Sequence, residues 1–550
     1  FSILKYEPQL WRMGACRPTV DGTIVGFEKK GKDTYALIDT SDIHTLMVAA
    51  AGTGKTTFFL EPNIEYCCAT GMSFISTDTK GDIYRNCGYV AAKRYGYKIS
   101  VIDLRNPLKS DGFNLLHLVK KYMDEYKNDP MDISAKAKSE RYAKIVADSI
   151  IATDGDKYGA NTYFYDAAKG LIAALILIIA EYGNDNECHI VSVLKLMIEL
   201  LEAKPQKKSQ LKSETYFADL IKLLPPDHKA RWLSGAAINN ADQAALSVVS
   251  TALSRLNSLI DTETEQILCF NTAIDTETLC NEKCAVFIVL PEEDRTKYVI
   301  ANLIIEQISR EIYHIADENG GHLDKRIMIY FEEFGTMPPI SGVEAMFSAL
   351  RSRSVSIVAI IQSFAQLEKN YGKQGSEIIV DNTQLMLFGG FAPGSSSAEK
   401  LSKDLGKQTI LTGSISKGNG GKNSGRQSQQ LQMTGRELIT ADELKRLPKG
   451  TFICTKTGMS PFKVQLLFYE KLGIRYDEKL NVEIKDVKTV YYTDRKSIIR
   501  SIKMQHNNEQ ENEMNKDENI SDIYELITDY SLEEDDIFAE TPSSKKMIRT

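Results

Sequence analysis

The residues best suited to chemistry form a glycine turn between an apolar run, residues 44–51, and a stretch that favours a helix. Gly52 and Gly54 let the backbone curl so that successive N–H groups point inward, and a helix opening just afterwards adds positive potential there. A loop of this kind binds the phosphates of a nucleotide. Its residues are Gly52, Thr53, Gly54, Lys55, Thr56 and Thr57.

Two side chains of this loop have separate roles in such a site. Lys55 would reach the β- and γ-phosphate oxygens, and the Thr56 hydroxyl would bind Mg²⁺. Ala49 stands where the formal pattern has its first glycine, although the inner Gly-Thr-Gly-Lys-Thr segment is whole. The loop therefore predicts binding of ATP together with Mg²⁺.

Paired acids supply the second half of a hydrolytic site. Residues 326–335 read as a buried strand that ends at Glu332 and Glu333, at the sheet edge where such folds bind ligands. Glu332 would hold a water of the Mg²⁺ shell, and Glu333 would orient or deprotonate the attacking water. ATPases of this kind usually have aspartate at the first of the two acidic positions. The glutamate at position 332 therefore leaves the rate of ATP turnover undetermined. The alternative interpretation is two surface acids at a strand end.

Two further polar residues flank another apolar run, residues 356–361. Gln362 follows the run and would sense the γ-phosphate, unless it is an ordinary strand-end amide. Arg351 precedes the run and would reach the nucleotide of a neighbouring subunit, unless it forms a surface salt bridge. Asp78 and Lys80 end a third strand, where they line the same edge or form a structural turn.

The elements that must position these residues indicate an α/β fold. Seven apolar runs predict strands of a parallel sheet covered on both faces, with helical connections between many of them. Strand-like runs nearly vanish over residues 124–271, which predicts an all-helical domain that splits the nucleotide-binding domain into residues 1–123 and 272–475. Residues 170–180 are too few to span a bilayer and predict a buried core helix. The runs are 44–51, 72–78, 98–103, 285–290, 327–331, 356–361 and 385–388.

Composition adds three expectations. Residues 501–550 carry 13 acids and 5 bases, so residues 476–550 are predicted to be an acidic, largely disordered tail that either captures a basic partner or aids solubility. Residues 414–430 predict a flexible basic loop, either a solvated connection or a contact for nucleic-acid phosphates. Nine cysteines without CxxC spacing predict a reducing compartment and mostly buried thiols.

In their order along the chain, the motifs resemble those of the type IV secretion coupling proteins, which are conjugative DNA-pumping ATPases with a RecA-like fold. The similarity covers roughly residues 15–470. The Gly-Thr-Gly-Lys-Thr loop is shared by many families, and the later motifs are more specific. These are Asp78-Thr-Lys-Gly-Asp82, Glu332-Glu-Phe-Gly335, Gln362-Ser-Phe-Ala-Gln-Leu367 and Thr434-Gly-Arg-Glu-Leu438.

The resemblance implies a homo-hexameric ring on the cytoplasmic face of the inner membrane, held by an N-terminal membrane anchor absent from this chain. The ring would receive relaxase-bound single-stranded DNA, with relaxosome accessory proteins, and drive it into the secretion channel by ATP hydrolysis. In the family pattern Lys55 and Thr56 match the phosphate and metal residues, and Glu332 and Glu333 match the paired acids. Arg351 matches the trans arginine, and Gln362 matches the sensor.

Three functions fit these features. The first is a DNA-translocating motor, and the second is a nucleotide-dependent docking platform for relaxosome and protein substrates with little motor activity. The third is a chromosome-segregation translocase, against which the long helical insertion and the missing DNA-reading winged domain both count. The motor is the interpretation that we favour.

Overall fold

The apolar runs of the sequence form buried strands in a computed structural model of the protein. The structure describes residues 1–151, 162–201, 216–235, 242–340, 342–417 and 427–507. All seven predicted strands are present, with ends within two residues of the prediction. The strands are β1 (Ser2–Lys5), β2 (Thr23–Lys30), β3 (Asp33–Asp39), β4 (Thr45–Ala49), β5 (Ser73–Asp78), β6 (Lys98–Asp103), β7 (Cys284–Val289), β8 (Ile327–Phe331), β9 (Val355–Ile361), β10 (Leu385–Gly389), β11 (Lys407–Lys417), β12 (Gln427–Glu437), β13 (Thr451–Lys456) and β14 (Phe462–Gln465).

One sheet of nine strands organises the fold, in the order β14-β13-β10-β4-β9-β8-β5-β7-β6. The seven strands from β10 to β6 in this order are parallel, whereas β13 and β14 pair antiparallel. The carboxyl ends of β4, β9, β8 and β5 therefore lie along one edge. A small antiparallel sheet, β1-β3-β2, and a two-stranded ribbon, β11-β12, complete the strands, and the α/β prediction is confirmed.

Alternate residues of the central strands face two hydrophobic cores. In β4, Leu46 and Val48 face the core that continues into the helical insertion, while Met47 and Ala49 face the core beneath the small N-terminal sheet. These four residues are at most 1% exposed, which explains why the strand is apolar throughout instead of alternating. Eight of the nine cysteines are buried in these cores, as predicted, and Cys16 is exposed.

Helices cover both faces of the sheet and build the insertion. The helix after the phosphate loop begins with a wide π-helical turn, Lys55–Leu60, and continues as Glu61–Thr70. The other α-helices are Pro8–Arg12, Asp82–Tyr95, His117–Asn128, Ile133–Ile151, Thr162–Tyr182, Ile190–Leu201, Tyr216–Leu223, Lys229–Leu233, Asp242–Asn257, Glu265–Leu268, Thr276–Asn281, Tyr298–Glu318, Val343–Ala349, Phe364–Asp381, Ser396–Asp404, Ala441–Lys445 and 495–507. Short 3₁₀ turns are Pro107–Lys109, Asp185–Glu187, Arg295–Lys297, Leu350–Arg353 and Tyr469–Leu472.

The insertion is helical wherever the structure describes it, with no strand between Asp103 and Cys284 in those residues. Its central helix, Thr162–Tyr182, is long and apolar enough to cross a membrane by length and composition. The side chains from Leu171 to Ala180 are at most 2% exposed because neighbouring helices surround them. The predicted core helix is confirmed. Residues 240–243, Asn-Ala-Asp-Gln, have the sequence pattern of a capping box, but this segment begins outside the described residues.

The prediction of a flexible loop at residues 414–430 is wrong at both ends of this range, because β11 reaches Lys417 and β12 begins at Gln427. The two strands pair over eleven residues each, and this pairing outweighs the poor strand propensity of the glycine and serine residues. Residues 418–426 lie outside the described residues. Thr440 and Glu443 have the sequence pattern of a capping box, and they form one at the start of the short helix Ala441–Lys445.

The prediction that residues 476–550 form a largely disordered tail is also wrong for the first part of the tail. Residues 476–494 run along the surface without regular secondary structure, and residues 495–507 form a helix; together we call them the strap. The strap is held because Ile498 and Ile502, one helical turn apart, are buried to 0% and 1% exposure in the core shared with the insertion. This i, i+4 apolar pair is hidden in a polar stretch of sequence. Residues 508–550 lie outside the described residues.

Candidate functional site

The phosphate loop follows β4 and is shaped by two glycines with left-handed backbones. The φ angles of Gly52 and Gly54 are 74° and 89°, a region that side chains other than glycine rarely adopt. On the other side of the loop, Ala50 N–H donates to the Gly390 carbonyl at 3.1 Å. A Cβ atom on Gly390 would lie 2.3 Å from Thr53 Cγ2, so a second glycine turn must pass close to the loop.

Lys55 opens the helix and points its ammonium group into the loop. Its side chain is 7% exposed, and Nζ lies 3.4 Å from the Ala50 carbonyl oxygen. The same Nζ lies 3.4 Å from Oε1 of Glu333, which follows the carboxyl end of β8. The loop lysine is therefore paired with a carboxylate at the position where phosphate oxygens would otherwise compensate its charge.

Glu332 is the buried acid of the pair. Oε1 accepts a hydrogen bond from the Thr56 hydroxyl at 2.8 Å, and Oε2 accepts from the Thr79 N–H at 3.2 Å and its hydroxyl at 3.3 Å. Burial raises the pKa of Glu332, and the charge of nearby Asp78 raises it further, while the bonds from Thr56 and Thr79 oppose the rise. The carboxylate thus has a fixed direction, toward the metal-binding hydroxyl predicted from the sequence.

Glu333 is turned away from Glu332 by its backbone. Its φ is 55°, a left-handed conformation that is uncommon outside glycine and stores a modest strain. The turn is stabilised by Thr336, whose N–H and hydroxyl both donate to the Glu333 carbonyl at 2.9 Å. As a result the Oε2 atom accepts a hydrogen bond of 2.9 Å from Nε2 of Gln362. The predicted base and sensor are in direct contact.

Asp78 forms the turn after β5 and does not face the paired acids with a free oxygen. Its carboxylate accepts from the backbone N–H groups of Lys80, Gly81 and Tyr84 at 3.2, 2.6 and 2.9 Å. Of the two interpretations of Asp78, the structure favours the structural turn. The turn places Thr79 against Glu332, a contact that sequence reasoning missed because it depends on pairing between β5 and β8.

Arg351 lies far from the phosphate loop of its own chain. It belongs to the 3₁₀ turn before β9, hence to the amino edge of the parallel sheet, whereas the loop follows the carboxyl end of β4. The charge of Arg351 acts on His44, which precedes β4 at that same amino edge. Its neighbour Arg353 is paired with Asp317 at 3.1 Å. Arg351 therefore lies at the edge of the sheet opposite to the phosphate loop of its own chain.

The oxygen atoms at the loop suit Mg²⁺. The cation prefers hard oxygen ligands and keeps several waters, and the Thr56 hydroxyl with the Glu332 carboxylate provides one ligand and one acceptor for such a water. Elsewhere in the described residues, no group of three or more His, Cys, Asp or Glu side chains could hold a metal. The residues present fit a magnesium nucleotide, with Lys55 compensating phosphate charge.

The chain belongs to the family of type IV secretory system conjugative DNA transfer proteins, since the sequence model of that family matches residues 13–512. The resemblance to coupling proteins drawn from the motifs is thereby confirmed. No curated protein matches the chain.

Solved structures support the same fold. The unbound monoclinic form of the bacterial conjugative coupling protein TrwBdeltaN70 is 14% identical, with a TM-score of 0.57 over 88% of this chain and 96% of that chain. The plasmid coupling protein TrwB in complex with ADP and Mg²⁺ is 13% identical, with a TM-score of 0.54 over 85% and 94%. The TrwB complex with the non-hydrolysable ATP analogue ADPNP is 13% identical, with a TM-score of 0.54 over 90% and 97%. The RecA-like fold is shared.

Proposed function

We propose that the chain is an ATP-hydrolysing motor that moves single-stranded DNA into a secretion channel. The observation that carries this proposal is the meeting of three sequence-distant motifs at one sheet edge: Lys55 with Glu333, Thr56 with Glu332, and Gln362 with Glu333. A site that only binds phosphate needs no paired acids, whereas hydrolysis needs a group that activates water. TrwB, which has the same fold, is known in complexes with ADP and Mg²⁺ and with an ATP analogue.

Each residue of the site has a distinct role in this proposal. The N–H groups of the loop, with Gly52, Thr53 and Gly54, surround the phosphates, and Lys55 leaves Glu333 to pair with the β- and γ-oxygens. Magnesium held near Thr56 and Glu332 would neutralise phosphate charge. Glu333, once released from Lys55, takes the proton of the attacking water, and Gln362 keeps its carboxylate oriented. Thr57 adds a second hydroxyl at the start of the helix.

The position of Arg351 supports a ring. An arginine at the amino edge of the sheet completes a site only in a neighbouring subunit, which links hydrolysis in one subunit to movement of the next. We infer a homo-hexamer at the cytoplasmic face of the inner membrane, anchored there by an N-terminal segment. Its partners would be single-stranded DNA, a relaxase with relaxosome accessory proteins, and components of the type IV secretion channel.

Substitution of the two central residues tests the motor. Lys55→Ala should abolish binding of Mg–ATP and DNA-stimulated hydrolysis. Glu333→Gln should keep nucleotide binding and reduce hydrolysis by about 10²- to 10⁴-fold, the usual contribution of a general base. DNA transfer by cells that carry either variant should fall in parallel. Normal transfer by a Glu333→Gln strain that has no measurable hydrolysis would rule out the motor.

A docking platform is the second candidate, and the strap favours it. The helix 495–507 is held against the insertion by a hydrogen bond of 3.2 Å between His506 Nε2 and the Leu223 carbonyl. The last described residues therefore lie on the helical insertion, and the acidic residues 508–550 follow them in the sequence. Their removal should weaken capture of a basic relaxosome protein, and this binding should fall steeply with salt. Equal capture with and without these residues would exclude the platform role of the tail.

A further inference from the structure

Phe58 lies beside the phosphate loop, and two glycines leave space for its ring. It follows Lys55 by three residues and is half-buried. A Cβ atom on Gly54 would lie 2.6 Å from Phe58 Cδ2, so the ring contacts the loop itself. A Cβ atom on Gly450 would lie 3.1 Å from Phe58 Cε1, which places the turn between the helix Ala441–Lys445 and β13 against the other side of the ring.

Two further aromatic side chains extend from Phe58 away from the loop. The ring centroids of Phe58 and Phe468 are 5.6 Å apart, with their planes tilted by 59°. Those of Phe468 and Tyr469 are 4.6 Å apart, tilted by 36°. All three side chains are half-buried, so each keeps part of its ring accessible. We call Phe58, Phe468 and Tyr469 the aromatic cluster.

The face of Phe58 is covered by a movable side chain. The ammonium group of Lys449, an exposed residue, lies 5.7 Å from the centroid of this ring. A lysine held at an aromatic face by a cation–π contact is released at small cost, since exposed contacts of this kind are weak. The ring can therefore exchange the lysine for a flat ligand without repacking the core.

We propose that the aromatic cluster binds the base of the nucleotide, with Phe58 as the stacking residue. The inference rests on the proposed function, because a base reaches this ring only when its phosphates occupy the loop that the ring contacts. Half-buried rings fixed in place between backbone turns are suited to stacking on a base. The burial of a planar base would complete the packing that the cluster leaves open.

Stacking at this position predicts weak selection among bases. Every base has a π face, so an aromatic ring alone does not distinguish adenine from guanine. The nearby amide of Gln465 is engaged: Oε1 accepts from the Thr451 hydroxyl at 3.0 Å, and Nε2 donates to the Leu466 carbonyl at 3.2 Å. It does not read the edge of a base in this arrangement. We expect ATP and GTP to bind with affinities within a few-fold of each other.

The experiment compares a ligand that has a base with one that has none. Affinities of the full chain for Mg–ATP and for Mg–tripolyphosphate are measured by calorimetry for the original protein, Phe58→Leu and Phe58→Tyr. Loss of the ring should weaken Mg–ATP binding by about 10-fold and leave Mg–tripolyphosphate binding unchanged, within the range that one stacked base contributes. Phe58→Tyr should retain Mg–ATP affinity because the ring remains.

A matched control and a folding control make the result decisive. Phe462→Leu removes another half-buried ring, which packs on Phe1 away from the loop, and should change neither affinity. Thermal unfolding midpoints verify that each variant is folded. If Phe58→Leu weakens both ligands equally, or neither, the base assignment is overturned. If Lys55→Ala leaves Mg–tripolyphosphate binding intact, the proposed function itself fails.

Discussion

The hydroxyl of Thr56 donates a 2.8 Å hydrogen bond to Oε1 of Glu332, so the phosphate loop and the paired acids are joined directly. The two residues are 276 positions apart in the chain and meet only because β4 and β8 flank β9 in the sheet. Residues that hold metal ligands in place strengthen metal binding. If Thr56 and Glu332 hold Mg²⁺ as proposed, the residues that orient Glu332 should govern metal affinity.

Thr79 orients the Glu332 carboxylate, so its substitution tests whether this orientation affects metal binding. Thr79→Val eliminates the hydroxyl bond to Oε2 of Glu332 and keeps a side chain of the same shape. We expect the Mg²⁺ concentration for half-maximal hydrolysis to rise by about 10-fold, as for other residues that orient metal ligands. Thr70→Val is the control, because its hydroxyl bonds to the Cys67 carbonyl and to Asp21 at the end of the helix Glu61–Thr70 and not to Glu332. An unchanged Mg²⁺ requirement would remove Thr79 from the site.

Mixing experiments can show whether Arg351 acts between subunits. Arg351→Ala should lower hydrolysis by about 10³- to 10⁵-fold, the contribution of an arginine finger. A mixture of inactive Arg351→Ala and inactive Lys55→Ala chains should recover measurable hydrolysis, because one type of interface then combines an intact lysine with an intact arginine. Arg353→Ala, which removes the ion pair with Asp317 and local contacts to Ala349 and Tyr313, should keep its activity. No recovery on mixing would contradict action in trans.

Glu61 makes stability depend on pH. Its pKa is raised from 4.5 to about 7, chiefly by burial and also by the charges of Asp82, Glu332 and Asp78, while a hydrogen bond from Asn86 opposes the rise. The folded protein therefore holds a proton that the unfolded chain has lost, so this residue lowers stability as pH rises from about 4.5 through about 7. Glu61→Gln should raise the thermal unfolding midpoint at pH 8, with a gain that vanishes near pH 4.5.

A pH-independent change on Glu61→Gln would indicate a packing effect instead. The glutamine keeps an acceptor for Asn86 Nδ2, which lies 3.3 Å from Oε1, so the hydrogen bond is preserved in the comparison. A lower midpoint at pH 8 would contradict the raised pKa directly.

The strap helix should stabilise the insertion. Ile498→Ala removes a fully buried side chain and should cost about 2–5 kcal/mol of unfolding free energy, as for other large-to-small core substitutions. Met504→Ala on the same helix removes a side chain that is 59% exposed and should cost little. Denaturant unfolding of the full chain measures both. Similar midpoints for the two variants would show that the helix does not pack as described.

Much of the site could be predicted because its residues follow short, strongly apolar strands. The phosphate loop, Glu332, Glu333 and Gln362 each end such a run, and in a parallel sheet strand ends of the same kind share an edge. Thr79 could not be predicted in this way, since its contact with Glu332 requires the pairing of β5 with β8, which local sequence does not reveal. Whether Lys55, the acids and Arg351 act as assigned stays a prediction.

The errors in the fold arose where composition and long-range pairing disagree. The glycine and serine content of residues 414–430 predicted a loop, and the structure pairs both ends of this stretch, residues 414–417 and 427–430, as strands. The acidic composition of residues 501–550 led to a prediction of disorder that extended over residues 476–507, where the buried Ile498 and Ile502 hold a helix on the insertion. In both regions the contacts that determine the structure are made with a segment outside the residues on which the prediction was based.

The place of β4 in the sheet has a consequence for synthesis. Both of its neighbours, β9 and β10, are encoded more than 300 residues later, beginning at Val355 and Leu385. A nascent chain emerging from the ribosome exposes this apolar strand with two unpaired edges until most of the protein has been made. Such chains are prone to aggregate, so we expect production in cells to depend on chaperones that shield the N-terminal third during translation.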